Sequence, residues 1–194
     1  SSVQMQRKSK NSYFISDTLS QKISETKNSQ GVFAVCKMKN ENISLKTGQK
    51  YIALDNLQDP GNLGTVIRPA EALGISSVIV GGGCDVFNPK VLRASMGSVL
   101  RLDVFECQSL VPVLQKAKSL GIKTYATSPD SSAKKINETQ FPKSSLCVIG
   151  NEANGVSDEV MNICDETVTI PMLGRAESLN AHVAGAIVMW EMLR

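Results

Sequence analysis

No run of about 18 consecutive apolar residues occurs in these 194 residues, so no helix is expected to cross a bilayer. The polar, basic beginning of the chain has no apolar core of the kind that signal peptides carry. Histidine occurs once, as His182, and the five cysteines (Cys36, Cys84, Cys107, Cys147 and Cys164) lie far apart without a C-x-x-C pair. Cys/His metal sites and disulfide frameworks are therefore not expected, and the thiols read as reduced and mostly buried in a cytoplasmic protein. Neither a P-loop nor a G-x-G-x-x-G fingerprint is present; "GGGC" (81–84) reads as a flexible turn. An excess of one sign of charge is also lacking: 21 Lys plus Arg face 18 Asp plus Glu, a balance of +3 that permits a phosphate-rich partner without requiring one.

What is there begins with a change of composition near residue 40. Residues 1–40 are rich in Ser, Lys, Gln and Asn around one strand-like stretch, "GVFAVCKM" (31–38), and read as a tail or the remnant of another module. From Lys50 onward, short β-rich runs ("YIALDNL", "SSVIVGG", "RLDVFEC", "IKTYATS", "SLCVIGN", "ETVTIPM") alternate with helical patterns at 63–73, 89–95, 110–120, 158–164 and 178–193. That rhythm implies βα units, hence an α/β fold with an open, mostly parallel sheet flanked by helices over residues 41–194. The last helix is expected to start with Ser178 as N-cap and to carry a stripe of Leu179, Val183, Ala186, Trp190 and Leu193 on one face.

Ligands of open parallel sheets bind beyond the carboxyl ends of the strands. Three segments in such positions are unusual. "DNLQDPGNLGTVIRPAEALG" (55–74) joins a turn signal to a helix start, with Asn62 as a candidate cap and Arg68 six residues further on. "VIGNEANGV" (148–156) sets Asn151, Glu152 and Asn154 between Gly150 and Gly155, where glycine permits close backbone approach. "IPMLGRAESLNAH" (170–182) runs from a strand into the last helix, whose first N–H groups form an electron-poor rim. Taken singly, these residues also fit plain caps and turns, and His182 fits a satisfied structural histidine.

In this order and near these spacings, the three segments resemble the three motifs of the SpoU (TrmH-type) RNA 2′-O-ribose methyltransferases of the SPOUT superfamily. The similarity runs from about Tyr51 to Arg194 and includes "NPKVLRASMGS" (88–98). "SETKNSQGVFAV" (24–35) further resembles the join to an RNA-binding domain of the L30e type. The resemblance implies a deep C-terminal trefoil knot, formed where roughly residues 146–194 pass through an earlier loop, and S-adenosylmethionine as cofactor. It further implies a homodimer, and structured RNA as substrate, ribosomal in preference to transfer RNA. By that likeness the backbone of Gly150, Ile170 and Leu179, with Thr127 and Met172, holds the cofactor. Arg68, Asn62, Glu152, Ser178 and Asn180 match the catalytic positions. Arg68 is expected to orient the 2′-hydroxyl and stabilise charge, since a guanidinium is a poor base. Asn62 and Glu152 are expected to order the RNA and the loops, and Asn180 to position the hydroxyl or Arg68. Pro69 and His182 depart from the family pattern, so the resemblance assigns His182 no role. A catalytically silent RNA-binding module with the same fold is the alternative.

Overall fold

The computed structural model describes residues 12–24, 26, 28–37, 42–176 and 178–194. The chain divides into two compact units, residues 1–40 and 41–194. In the first, α1 (Asp17–Ile23) is capped by Ser16, whose hydroxyl oxygen accepts from Leu19 N–H, and none of its residues is buried. The expected strand at 31–38 does not form: residues 31–37 are irregular and exposed, and Met38 lies outside the described residues. A short apolar run alone makes no strand when no ladder is at hand to satisfy the backbone.

The second unit is built on a seven-stranded sheet in the order β3-β2-β1-β6-β4-β7-β5. Its strands are β1 (Lys50–Asp55), β2 (Ser77–Gly81), β3 (Asp103–Cys107), β4 (Lys123–Thr127), β5 (Lys134–Lys135), β6 (Ser145–Ile149) and β7 (Glu166–Thr169). Every ladder is parallel. Strands β2 and β6 are buried along their whole length, which explains why their sequences are apolar without alternation. β5 is two exposed lysines and carries no sequence signal of its own.

Helices cover both faces: α2 (Pro60–Leu73), α3 (Pro89–Ala94), α4 (Val111–Ser119), α5 (Asp158–Ile163) and α6 (Ala181–Leu193). Along β1, Ile52 and Leu54 join the core beneath α2 and α6, whereas Tyr51 and Ala53 join the core beneath α4 and α5. Successive strand residues point to opposite faces, so β1 feeds both cores at once. Each fully buried Leu or Ile contributes roughly 1.5–3 kcal/mol.

The starts of α2 and α6 differ from the sequence expectations. Asp59, not Asn62, caps α2; its carboxylate accepts from Gly61 N–H, Pro60 takes the first turn, and Asn62 lies inside the helix. Asn180, not Ser178, caps α6, and its Oδ1 accepts from His182 N–H at 3.2 Å. Pro69 sits within α2. Gly64 brings α2 against α3 so closely that a Cβ there would lie 2.6 Å from Ala94 Cβ.

The apolar face assigned to α6 is also corrected. Ala181, Gly185, Val188, Met189 and Met192 are the buried residues, whereas Val183, Trp190 and Leu193 are exposed. The helix is apolar all round, so two stripes competed for the core. The small one won because Gly185 faces Ile149 Cδ1 and Val66, where even a Cβ would come within 3.1 Å. At its carboxyl end, Lys50 Nζ donates to Met192 O, a cation on an orphan helix carbonyl.

Candidate active site at the carboxyl edge of the sheet

Strands β4, β6 and β7 end side by side, and the segments that follow them enclose a cavity of about 410 Å³. Thr127 Oγ1 donates to Val148 O at 3.0 Å and ties the end of β4 to β6. Beyond β6 the chain turns back on itself: Asn151 and Gly155 exchange two backbone hydrogen bonds of 2.9 Å. Asn151 Oδ1 accepts from Ala153 N–H at 2.8 Å, and Asn151 Nδ2 donates to Asn56 O at 2.8 Å. Asn151 thus fixes the loop to the end of β1 and sets Glu152 on the cavity wall. Ser157 N–H, at the start of α5, donates to the buried Asp55 Oδ2 at 2.8 Å.

Glu152 is joined to α2 and α6. Asn62 Nδ2 donates to Glu152 Oε1 at 2.7 Å, and Asn62 Oδ1 lies 3.1 Å from His182 Nδ1. Beside this group, Lys90 Nζ contacts Asp59 Oδ1 at 2.6 Å. That ammonium, together with Gly61 N–H, holds the Asp59 carboxyl below its ordinary value. The pair is exposed, so it orients the start of α2 more than it stabilises the fold.

Of the residues singled out in the sequence, Thr127, Gly150, Glu152, Ile170, Met172, Ser178 and Leu179 all line the cavity. Asn62 and Asn180 do not; the first reaches the cavity through Glu152, and the second caps α6. Arg68 is exposed and makes no hydrogen bond or ion pair among the described residues. At 3.6 residues per turn it stands about 120° around α2 from Asn62. Asn151 and Asp59 were not singled out as site residues, although an Asn between two glycines and an Asp before Pro-Gly are local turn and cap signals.

A second hollow of about 430 Å³ lies beyond β2 and β3, lined by Gly82, Gly83, Cys84 and Cys107 among others. "GGGC" is not a loose turn here: a Cβ on Gly83 would lie 2.2 Å from Leu57 O. Nor are the thiols mostly buried. Cys147 alone is fully so, Cys84, Cys107 and Cys164 are half-buried, and Cys36 is exposed.

An open parallel sheet with a cavity at its carboxyl edge, walled by backbone, apolar side chains, hydroxyl and amide groups and one carboxylate, defines a binding domain for a compact ligand, placed as such sheets place one. The pattern of the SpoU rRNA Methylase family matches residues 49–190, and the chain belongs to that family. It is 36% identical over 181 residues to the 23S rRNA (guanosine(2553)-2′-O)-methyltransferase RlmP of Bacillus subtilis, covering 93% of this chain and 71% of that protein. A solved RNA 2′-O ribose methyltransferase superposes with a TM-score of 0.78 at 30% identity, over 92% of this chain and 69% of that one. The SpoU methyltransferase AviRb from Streptomyces viridochromogenes, in complex with AdoMet, superposes with a TM-score of 0.69 at 32% identity. That match covers 78% of this chain and 59% of AviRb, so the chain spans between about three fifths and seven tenths of these relatives.

Proposed function

We propose that this chain transfers a methyl group from S-adenosylmethionine to a ribose 2′-hydroxyl of RNA, with ribosomal RNA as the substrate class. The observation that carries the reading is the cavity at the ends of β4, β6 and β7 inside a SpoU-family fold. Its chemistry fits the cofactor. Ile149, Ile170, Met172 and Leu179 offer apolar surface for a purine ring, strand-end backbone offers donors and acceptors, and Glu152 is the only charged lining residue among those described, which suits a cationic ligand. Bound there, S-adenosylmethionine supplies a methyl group on a sulfonium, which a hydroxyl takes up by in-line approach with loss of its proton.

In this reading Thr127, Gly150, Ile170, Met172 and Leu179 hold the cofactor and exclude water. Glu152, Asn62, Ser178 and Asn180 order the rim, and Arg68 draws in an RNA phosphate and orients the hydroxyl. Arg68 is suited to that task because no carboxylate of the described residues neutralises it. The reading also carries a homodimer, supported by the exposed Val183, Trp190 and Leu193 on α6. It carries the knot as well, supported by β6 lying between β1 and β4, β7 between β4 and β5, and α6 returning onto α2. Residues 1–40 are read as a segment adjoining an RNA-binding domain, supported by their forming a separate unit. A cytoplasmic setting accords with the absence, among the described residues, of a helix long and apolar enough to cross a membrane.

The test is methyl transfer from labelled S-adenosylmethionine to ribosomal RNA transcripts, with modified positions mapped by resistance to alkaline cleavage. Label at a ribose 2′-oxygen is the expected result. Calorimetric binding of RNA without binding of S-adenosylmethionine would favour the catalytically silent RNA-binding module.

A further inference from the structure

Asn62 is where three separate elements meet: α2, the loop after β6, and the first turn of α6. Its amide has one donating and one accepting end, and the ionised Glu152 carboxylate only accepts. The amino end therefore faces Glu152, at 2.7 Å, which leaves the oxygen end for His182 Nδ1, at 3.1 Å. An amide oxygen offers no proton, so Nδ1 must carry it. Turning the amide over would set oxygen against carboxylate and lose one contact at once, so the two hydrogen bonds fix each other.

We infer that His182 is a positioning residue of the methyl-transfer site: held as the Nδ1–H tautomer, it locks the Asn62 amide and, through it, the Glu152 side chain on the cavity wall. Glu152 lines the cavity and His182 does not, so the effect travels through Asn62. A histidine serving only its own helix would need no such partner, since the start of α6 is already capped by Asn180. A neutral imidazole carries one ring proton, and the acceptor at Nδ1 draws it there. In water the Nε2–H form predominates, so the inferred state departs from the default.

His182 is the chain's only histidine, so the untagged protein gives one set of imidazole signals in a long-range ¹⁵N–¹H spectrum. In the neutral ring, observed at about pH 8, the proton should reside on Nδ1, and Asn62→Ala should return it to Nε2. A parent spectrum of the Nε2–H form overturns the inference. This measurement needs no RNA and stands whether or not the methyl-transfer reading holds; the kinetic measurement rests on that reading. Asparagine sets an amide nitrogen near the place of Nδ1, and glutamine near that of Nε2. His182→Asn should keep kcat within about threefold, whereas His182→Ala and His182→Gln should lower it about tenfold, as for one lost hydrogen bond to a charge-linked group. KM for RNA and the melting temperature should stay unchanged. Equal losses in the asparagine and alanine variants, a loss confined to KM, or no loss in any variant overturns the positioning role.

Discussion

Gly150 and Gly155 meet at backbone contact: a Cβ on Gly150 would lie 2.0 Å from the carbonyl carbon of Gly155 and 2.1 Å from Val156 N. The returning loop, with Asn151 bonded to Gly155 and Glu152 at its tip, exists only because no side chain stands there. Gly150→Ala should destabilise the protein by about 3 kcal/mol, in the range of overpacked interiors, and abolish S-adenosylmethionine binding. Urea unfolding and calorimetry check both; parental stability with parental affinity would show that the loop tolerates the methyl group.

Arg68 has no tie to the described residues, so Arg68→Ala should change folding stability by less than about 0.5 kcal/mol. Cofactor affinity should stay within about threefold, a difference of less than 1 kcal/mol. Methyl transfer should nevertheless be lost, because an exposed guanidinium is placed to meet an RNA phosphate. Near-parental turnover on a mapped substrate would remove Arg68 from the site.

Trp190 and Met189 are neighbours on α6 with opposite surroundings, 61% and 0% exposed. Trp190→Glu should leave the fold intact and reduce the mass seen by light scattering from that of a dimer to that of a single chain. Met189→Ala should cost about 2–5 kcal/mol through a core cavity. A single-chain mass for the parent at micromolar concentration would contradict the dimer.

Asp165 joins the start of β7 to β4. Its Oδ2 accepts from Thr124 N–H and Oγ1–H, both at 2.8 Å, and Lys118 Nζ lies 3.1 Å from Oδ1. Partial burial acts to raise this carboxyl, but the Thr124 hydrogen bonds and Lys118 outweigh it and hold it below its ordinary value. A depressed folded-state value contributes stability that is present above the unfolded value of about 3.9 and is lost as pH falls through the folded one. Stability from urea unfolding should therefore drop below about pH 4. Asp165→Asn should flatten that drop and be less stable than the parent at neutral pH; an unchanged acid slope would count against it.

Burial pushes the Cys164 thiol up to about 12 and Cys147 higher still, while Cys36 is exposed. Thiolate is the reactive form, so a thiol reagent at neutral pH should label Cys36 readily and leave Cys147 and Cys164 intact until the fold opens. Peptide mapping of the labelled protein checks the order.

The alternating β-rich and helical runs were legible because each is a local matter: strands buried on both faces must be apolar throughout, and Asp-Pro-Gly marks a change of chain direction, here the cap and first turn of α2. The cavity-lining positions Thr127, Gly150, Ile170 and Leu179 were reachable through the motif resemblance, since they lie at strand ends or in the segments that follow. Other decisions needed distant parts of the chain. Residues 31–37 carry a strand-like apolar run, yet among the described residues none pairs with them in a ladder. Around α6 the sequence is apolar on every side, and only the close approach of Val66 and Ile149 selects Gly185 for the interior and turns Trp190 outward. His182 meets Asn62 across 120 residues, and Asn62 meets Glu152 across 90. Such pairings are set by how the sheet orders its strands and where its helices return, because a hydrogen bond depends on distances of a few tenths of an ångström that no local pattern encodes.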